Sequence, residues 1–285
     1  MARFVVLRKG QAVSVLLGFA LLVAVAGYWA ASFAQVPAME AVVAAFAETE
    51  LPLGVEAAVD TSLRVEVVRN TAPPPMQGKR VLIYHTHTWE AYEQVEGARY
   101  EETEKWRSKD NTVNMIAVGD ALTAALEALG CEVVHDETAF EPPNLSTAYQ
   151  RSLEMLEKRQ EAGEQYDLYI DLHRDAVASA STIKRTVNVA GEDIARFMVL
   201  VGKGQGYDVK PDWEANYAVA ERLTRSLNGQ VEGICRDIKV KTGRFNQHIA
   251  PCCVLIECGL NYNTLEQVLA GMPYLAQAVC DTLTQ

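Results

Sequence analysis

Positive charge is scarce in this sequence. The 285 residues contain 26 Lys and Arg against 37 Asp and Glu, which gives a formal net charge of −11. Three of the basic residues precede residue 10, so the rest of the chain carries 23 − 37 = −14. A protein that binds nucleic acid needs a basic surface to neutralise phosphate. The balance therefore argues against nucleic acid as a partner.

Several common chemical motifs are also missing. No Cys-x-x-Cys pair occurs among the six cysteines, which argues against a structural zinc knuckle. Four of the six lie in the last 34 residues, unlike a disulfide framework, so we expect small buried thiols, with one disulfide as the alternative. No Gly-x-Ser-x-Gly nucleophile elbow is present. The run GKGQG at 202–206 lacks the phosphate-binding patterns and predicts a loop.

Charge of either sign is absent from residues 10–39. Within them, residues 12–34 form an apolar run that would make a helix of ~34 Å, enough for a hydrocarbon core of ~30 Å. Basic residues precede this run, which predicts a cytoplasmic tail over 1–10, a transmembrane anchor over 11–35 and an extracytoplasmic remainder. The sequence thus predicts a single-pass protein of the cell membrane. A signal peptide cleaved after Ala34 is the alternative.

Beyond the apolar run, the chain divides into a linker and a folded domain. We expect an extracytoplasmic stalk over 36–78, because it ends close to three consecutive prolines, and a catalytic domain over 79–285. Strand and helix patterns alternate in the domain, which predicts an α/β fold, a mixed or mostly parallel sheet with helices on both faces. The strands are expected at 81–84, 131–134, 167–172, 197–201 and 253–257, and the helices at 114–129, 146–163, 213–227 and 265–283.

Ionisable side chains follow three of the predicted strands. His85 and His87 follow the first, His173 follows the strand at 167–172, and Glu257 ends the last. In open α/β sheets, ligands bind outside the carboxyl ends of the strands. We therefore expect these side chains to converge. The remaining two of the five histidines, at 135 and 248, lack a partner pattern and are expected to be ordinary hydrogen-bonding groups.

Histidine and carboxylate ligands with one open position are typical of a catalytic zinc site. His87 and Glu90 lie three residues apart and supply two ligands, and His173 supplies the third. Glu257 is then the spare carboxylate, which would act as general base and afterwards as general acid. At this stage His85 is the rival of His87, and Asp110 is a weaker rival of Glu90.

Five segments together resemble one known family, stage II sporulation protein P, over residues 81–285. The resemblance implies a zinc-dependent N-acetylmuramoyl-L-alanine amidase with a fold like other cell-wall amidases and a second, endopeptidase activity on stem-peptide cross-links. It also implies membrane anchoring, peptidoglycan as substrate, and a role in engulfment beside stage II sporulation proteins D and M. The segments are IYHTHTWEAY (83–92), NMIAVGD (114–120), DLHRDA (171–176), FNQHIAP (245–251) and LIECGLNYNTLEQ (255–267).

A more distant similarity connects the chain with zinc carboxypeptidases. Their His-x-x-Glu pair, later histidine and late glutamate resemble His87, Glu90, His173 and Glu257 in order, which favours His87 over His85.

The family resemblance therefore implies hydrolysis of the amide that joins the lactyl group of N-acetylmuramic acid to L-alanine. Arg174 or Asn261 is expected to bind carboxylates or sugar amides of the substrate. Two alternatives stay open: a non-catalytic scaffold that binds the cell wall, and a zinc peptidase that acts on stem peptides.

Overall fold

The computed structural model describes residues 74–205, 209–210 and 212–284. Strands and helices alternate along most of this part of the chain. The strands are β1 (Arg80–Tyr84), β2 (Glu132–His135), β3 (Leu168–Asp175), β4 (Thr186–Val189), β5 (Glu192–Ala195), β6 (Phe197–Gly202), β7 (Lys239–Lys241) and β8 (Cys253–Leu260). The helices are α1 (Met115–Ala128), α2 (Ala148–Glu161), α3 (Trp213–Gln230), α4 (Leu265–Leu269) and α5 (Met272–Thr284).

Six of the strands form one sheet in the order β2-β1-β3-β8-β6-β7, and β4 pairs with β5 in a separate hairpin. Strands β2, β1, β3 and β8 are parallel to their neighbours, β6 runs antiparallel to β8, and β7 is parallel to β6. The predicted α/β fold with a mostly parallel sheet is thus confirmed. The hairpin and the short strand β7 were not predicted.

Alternation along the strands sends side chains to two separate cores. From β1, Val81 and Ile83 join the larger core with residues of α1, α3 and α5, while Leu82 and Tyr84 pack on the other face with Leu156 of α2. Helices therefore cover both faces, as predicted.

Local signals explain where the helices begin and end. The Asn114 side chain accepts a hydrogen bond of 2.9 Å from the Ile116 N–H and caps α1. Gly130 follows that helix with φ of +87°, the left-handed conformation that often terminates a helix. The single closing helix predicted over 265–283 is instead two helices, α4 and α5, with Gly271 between them. A Cβ atom on Gly271 would lie 2.7 Å from Cζ of Phe197, so the chain turns where glycine permits close contact.

Residues just before β1 belong to the folded unit. Met76, which sequence reasoning placed in the stalk, is fully buried in the larger core, and its N–H donates to Leu129 O at 3.0 Å. The six cysteines are free thiols and five of them are buried, which agrees with the expectation of small buried residues.

The predicted single-pass membrane location is not supported. No helix within the described part of the chain is both long enough and apolar enough to span a bilayer. The segment for which the anchor was predicted, 11–35, lies outside the described residues, as does most of the predicted stalk.

Candidate active site at the carboxyl end of the sheet

Two ionisable side chains meet where β3 and β8 run side by side. His173 and Glu257 are register partners in these parallel strands. Because side chains alternate along a strand, both point to the face that α2 covers. His87 lies in the turn after β1, and its ring centroid is 5.2 Å from that of His173. The structure therefore brings together His87, His173 and Glu257, three of the four side chains expected to converge, whereas His85 contacts His135 instead.

Glu90 completes the cluster on the side of β1. Its Oε2 lies 3.6 Å from His173 Nδ1 and accepts a hydrogen bond of 3.0 Å from the Arg174 N–H. Burial raises the pKa of this carboxyl, but the interaction with His173, together with the charges of Arg174 and His87, outweighs burial and lowers the pKa to about 2. Glu90 is therefore a carboxylate at neutral pH.

His173 lies between two carboxylates. Its Nε2 is 2.9 Å from Asp171 Oδ1, while its Nδ1 faces Glu90. Burial lowers the pKa of the ring, but Asp171 and Glu90 oppose burial and raise the pKa well above its ordinary value. Asp171 itself accepts from the Thr86 N–H at 2.8 Å and from Thr86 Oγ1 at 2.7 Å. The surroundings of His173 thus favour positive charge.

Glu257 has the opposite environment. Its side chain is almost fully buried, and its Oε2 has no hydrogen-bond partner among the described residues. Burial raises the pKa of the carboxyl. His173 lowers it, but the negative charges of Glu90 and Asp175 raise it again, and the resulting pKa is about 7. A carboxyl that titrates near neutral pH is suited to accept a proton and later return it.

The chemistry of the cluster fits zinc. Two imidazoles and one carboxylate form a ligand set that catalytic zinc uses. The 3.6 Å between His173 Nδ1 and Glu90 Oε2 is too long for a hydrogen bond. It is close to the ~3.4 Å that separates two ligands with bonds of about 2.1 Å in a tetrahedron. His173 Nε2 lies 2.9 Å from Asp171 Oδ1 and His87 Nδ1 lies 3.6 Å from Glu141 Oε1, so each imidazole has a carboxylate beside one nitrogen, as histidine ligands of zinc commonly do.

The predicted ligands are not drawn tightly together. Among the described residues, a different group has its ligand atoms all within 4.8 Å of one another: Asp120, His135 and Glu137. That group is largely exposed and lies away from Glu257 in the sheet order. The set at 87, 90 and 173 is less exposed and lies beside a carboxyl with a pKa near neutrality.

The rival ligands have other contacts. His85 is fully buried; its Nδ1 lies 3.3 Å from Leu172 O and its Nε2 lies 2.8 Å from His135 Nε2. Burial, followed by the nearby His135, lowers the pKa of His85 to about 3. Asp110 is exposed, and its Oδ1 accepts from the N–H and the hydroxyl of Thr112 at 2.9 and 2.7 Å.

The two residues predicted to bind substrate differ in whether their hydrogen-bonding groups already have partners. Arg174 donates through Nη2 to Trp106 O at 3.1 Å, and its buried Nε has no partner within the described ranges. Asn261 uses both of its amide atoms on the backbone of Val177, at 2.9 and 3.3 Å. Arg174 therefore keeps a donor for a ligand, whereas the Asn261 side chain holds the loop after β3.

Sequence reasoning missed two groups that contact the histidines. Glu141 is buried, and its Oε1 lies 3.6 Å from His87 Nδ1. Tyr149, in the first turn of α2, lies parallel to the His173 ring at 6.3 Å and meets the His87 ring edge-on at 5.5 Å. Glu141 follows no predicted strand or motif, and Tyr149 lies inside the helix predicted at 146–163. Neither gave a signal of function.

Solved structures of cell-wall amidases resemble this chain only distantly. The catalytic domain of CwlV, an N-acetylmuramoyl-L-alanine amidase from Bacillus (Paenibacillus) polymyxa var. colistinus, is 15% identical, with 72% of this chain and 96% of that chain covered and a TM-score of 0.44. An N-acetylmuramoyl-L-alanine amidase from Clostridium difficile 630 is 16% identical, with 72% and 94% covered and a TM-score of 0.46. Similarity this slight establishes neither a shared fold nor a shared activity.

A family assignment comes from the sequence itself. No curated protein matches the chain. The family model of stage II sporulation protein P, however, matches residues 56–280, which include the whole cluster around His173 and most of the chain. The chain belongs to the stage II sporulation protein P family.

Proposed function

We propose that this protein is a zinc-dependent N-acetylmuramoyl-L-alanine amidase of peptidoglycan. The observation that carries the proposal is the pairing of His173 with Glu257 on neighbouring strands, beside His87 and Glu90. This arrangement supplies three zinc ligands and one carboxyl that titrates near neutral pH. The family resemblance implies a zinc-dependent amidase, and this combination of groups is suited to that hydrolysis.

His87, Glu90 and His173 would hold the zinc ion. When bound, zinc polarises a carbonyl group and lowers the pKa of a water molecule to roughly 7. Glu90 and Asp171 keep negative charge around His173, which offsets the charge of the cation. Binding requires His173 to lose the proton that its carboxylate neighbours favour, so zinc affinity rises with pH.

Glu257 moves the proton. As the new C–O bond to the lactyl carbonyl forms, the carboxylate takes a proton from the attacking water. As the C–N bond to L-alanine breaks, the same group gives that proton to the leaving amine. The products are a lactyl carboxylic acid on the sugar and a peptide with a free amino terminus. A pKa of about 7 suits both transfers, because neither protonation state of Glu257 is strongly favoured at neutral pH.

A cleft beside the cluster offers space for the substrate. It has a volume of about 400 Å³ and is lined by Tyr149, Gln150, Leu153 and the segment 243–246. Tyr149, which lines this cleft, also contacts both histidine rings, so the cleft borders the proposed ligands. Arg174, whose Nε has no partner among the described residues, is our candidate for binding a carboxylate of the stem peptide.

Product analysis on purified muropeptides tests the proposal. We expect the full chain with zinc to release peptide from the sugar, leaving N-acetylmuramic acid without L-alanine. Glu257→Gln should keep zinc and lose at least about 100-fold in turnover, as loss of a general base does. Glu232→Gln changes an exposed glutamate without assigned contacts and is the matched control.

The other outcomes of the same assay are equally informative. Cleavage within the stem peptide, with alanine still on the sugar, would identify a zinc peptidase instead. Binding of cell wall without turnover or zinc would identify a scaffold. We also propose, on the family resemblance alone, that the protein acts in engulfment beside stage II sporulation proteins D and M. Co-purification of the three from sporulating cells tests that role.

A further inference from the structure

Three rings lie together at the proposed zinc ligands. The ring centroids of His87 and His173 are 5.2 Å apart, and the centroid of Tyr149 lies 5.5 Å from the first and 6.3 Å from the second. Tyr149 is therefore the third corner of a triangle whose other two corners are candidate metal ligands. It also lines the cleft of about 400 Å³ that offers space for the substrate. A substrate that extends from this cleft to the two histidines would contact the tyrosine.

The hydroxyl of Tyr149 makes no hydrogen bond within the described part of the chain. The side chains that hydrogen-bond to this residue use its backbone carbonyl, which accepts from Asn246 Nδ2 at 2.8 Å and from Ser152 Oγ at 3.2 Å. The tyrosine is half-buried, and a tyrosine hydroxyl in such a place usually has a partner in the protein. Tyr149 therefore keeps a hydrogen-bond donor available beside the cleft.

A strained turn fixes the position of Tyr149. Phe245 and Asn246 have φ of +49° and +53°, and a bulky residue such as Phe245 rarely adopts this left-handed conformation. Such strain persists only where the surrounding structure requires it, and it is concentrated at functional sites. Here the turn lets Asn246 donate to the Tyr149 carbonyl, while the Phe245 ring meets the Tyr149 ring edge-on at 5.7 Å. The segment FNQHIAP (245–251), which supplies none of the proposed zinc ligands, thus begins with two residues that hold Tyr149.

Buried hydroxyl groups connect this turn with the proposed ligand His173. Asn246 Nδ2 donates to Ser152 Oγ at 2.9 Å, and Ser152 Oγ lies 2.9 Å from Thr86 Oγ1. The Thr86 hydroxyl donates at 2.7 Å to Asp171, whose other carboxylate oxygen lies 2.9 Å from His173 Nε2. All of these side chains are buried, and a buried network whose members are all hydrogen-bonded is rigid. The network therefore holds the turn, and with it the tyrosine, in a fixed relation to His173.

We propose that Tyr149 is a further catalytic residue, whose hydroxyl donates a hydrogen bond to the carbonyl oxygen of the scissile amide. This inference rests on the proposed function. As the water oxygen bonds to the lactyl carbonyl carbon, an electron pair of the C=O bond moves to the carbonyl oxygen, which becomes negative. A phenol keeps its proton at neutral pH, so Tyr149 stabilises that oxygen without giving the proton away. When the C–N bond breaks, the electron pair returns and the C=O bond forms again.

Replacing Tyr149 by phenylalanine removes the hydroxyl and keeps the ring beside the histidines. We expect Tyr149→Phe in the full chain to lower kcat on purified muropeptides by about 100-fold and to leave KM within about threefold, because charge develops on the carbonyl oxygen only in the transition state. Zinc content after dialysis should equal that of the wild type, which separates loss of the donor from loss of the metal. Tyr217→Phe, at a half-buried tyrosine of α3 that packs edge-on against Trp213, is the matched control and should change neither value.

Affinity for a mimic of the transition state gives a second readout that needs no turnover. The probe is an N-acetylmuramoyl peptide analogue in which a tetrahedral phosphinate replaces the scissile amide. Tyr149→Phe should weaken binding of this probe by about the same factor as it lowers kcat/KM. Binding of the intact muropeptide, measured in Glu257→Gln to prevent hydrolysis, should be the same with and without Tyr149→Phe.

Failure of this proposal and failure of the proposed function give different results. If the wild type releases peptide from the sugar and Tyr149→Phe does so with unchanged kcat, the amidase assignment stands and the donor role is wrong. Loss of zinc in Tyr149→Phe, or a change in KM alone, would equally overturn the donor role. If the wild type cleaves within the stem peptide instead, the amidase assignment fails, whereas a kcat about 100-fold lower in Tyr149→Phe for that cleavage supports the donor, because peptide hydrolysis forms the same negative oxygen. No hydrolysis of either bond by the wild type would refute both proposals.

Discussion

Glu141 Oε1 lies 3.6 Å from His87 Nδ1, and the same carboxylate accepts hydrogen bonds from Arg107 and, at 3.1 Å, from the Trp89 N–H. The carboxylate is thus held by two donors while it faces the histidine. In metal sites a carboxylate in this position orients the imidazole and raises its basicity. Glu141 is a positioning residue for the proposed zinc ligand His87.

We therefore expect Glu141→Gln to weaken zinc binding by about 10- to 100-fold, the usual effect of losing such a partner. Competition with a chelator at fixed pH measures the change. Glu154→Gln on α2, where the glutamate is exposed and accepts from Gln150, is the control. Unchanged zinc affinity in Glu141→Gln would show that Glu141 serves only the ion pair with Arg107.

The order of the strands explains what could be predicted about this site and what could not. His173 and Glu257 were predicted from strand ends, since hydrophobic runs mark buried strands well. Strands β3 and β8 become neighbours only in the folded sheet, and no local sequence pattern indicates this pairing. The choice between His85 and His87 depended on where β1 stops. It ends at Tyr84, so the alternation that would place both histidines on one face does not continue.

Elements that the sequence did not predict have specific physical causes. The β4–β5 hairpin turns at Ala190 and Gly191, both with positive φ, at 53° and 95°. This turn normally carries Asn-Gly or Asp-Gly, and alanine in the first position hides it. The division between α4 and α5 depends on Phe197, which is distant in sequence. The Asp120–His135–Glu137 group was not predicted, because the sequence around His135 shows no partner pattern and only the fold brings Asp120 close to it.

Glu257 predicts a pH dependence of activity. Its pKa of about 7 means that the carboxylate form, which takes the proton from water, is lost below neutral pH. We expect kcat/KM to rise with pH through about 7 on its acid limb. Initial rates on muropeptides, measured between about pH 5 and 9, roughly two pH units on either side of this pKa, test the expected dependence. A limb that stays unchanged in Glu257→Asp would assign the titration to another group.

The same group predicts a pH dependence of stability for the chain without metal. The folded pKa of about 7 exceeds the ordinary 4.5, so the protonated form is favoured by folding. Below about pH 4.5 this raised pKa makes its full contribution to the free energy of unfolding, up to about 3 kcal/mol. That contribution is lost as the pH rises through about 7. Denaturant unfolding of wild type and Glu257→Gln at pH 5 and 8 should show the wild type losing stability relative to the variant. A constant difference between the two proteins would contradict the assignment.

Replacing Thr86 tests whether its hydrogen bond is needed to orient the Asp171 carboxylate. Its hydroxyl donates to Asp171 Oδ2 at 2.7 Å, and both residues are buried. Thr86→Val should cost about 1–3 kcal/mol of unfolding free energy, because a buried carboxylate loses a donor. It should also lower turnover, since Asp171 contacts His173. Thr112→Val removes the exposed hydroxyl that donates to Asp110 and should change neither the unfolding free energy nor turnover. Unchanged turnover in this variant would also argue against Asp110 as a zinc ligand.

Two glycines predict opposite effects of the same substitution. Gly271 lies between α4 and α5, where a new Cβ would meet the buried Phe197 ring at 2.7 Å. Gly271→Ala should therefore destabilise the fold by about 1–3 kcal/mol, as overpacking does. Gly229 lies on α3 with nothing within 4 Å of the same atom, so Gly229→Ala should stabilise it by about 0.5–1 kcal/mol through helix propensity. Urea unfolding measures both, and equal shifts in the two variants would mean that Phe197 does not set the break between α4 and α5.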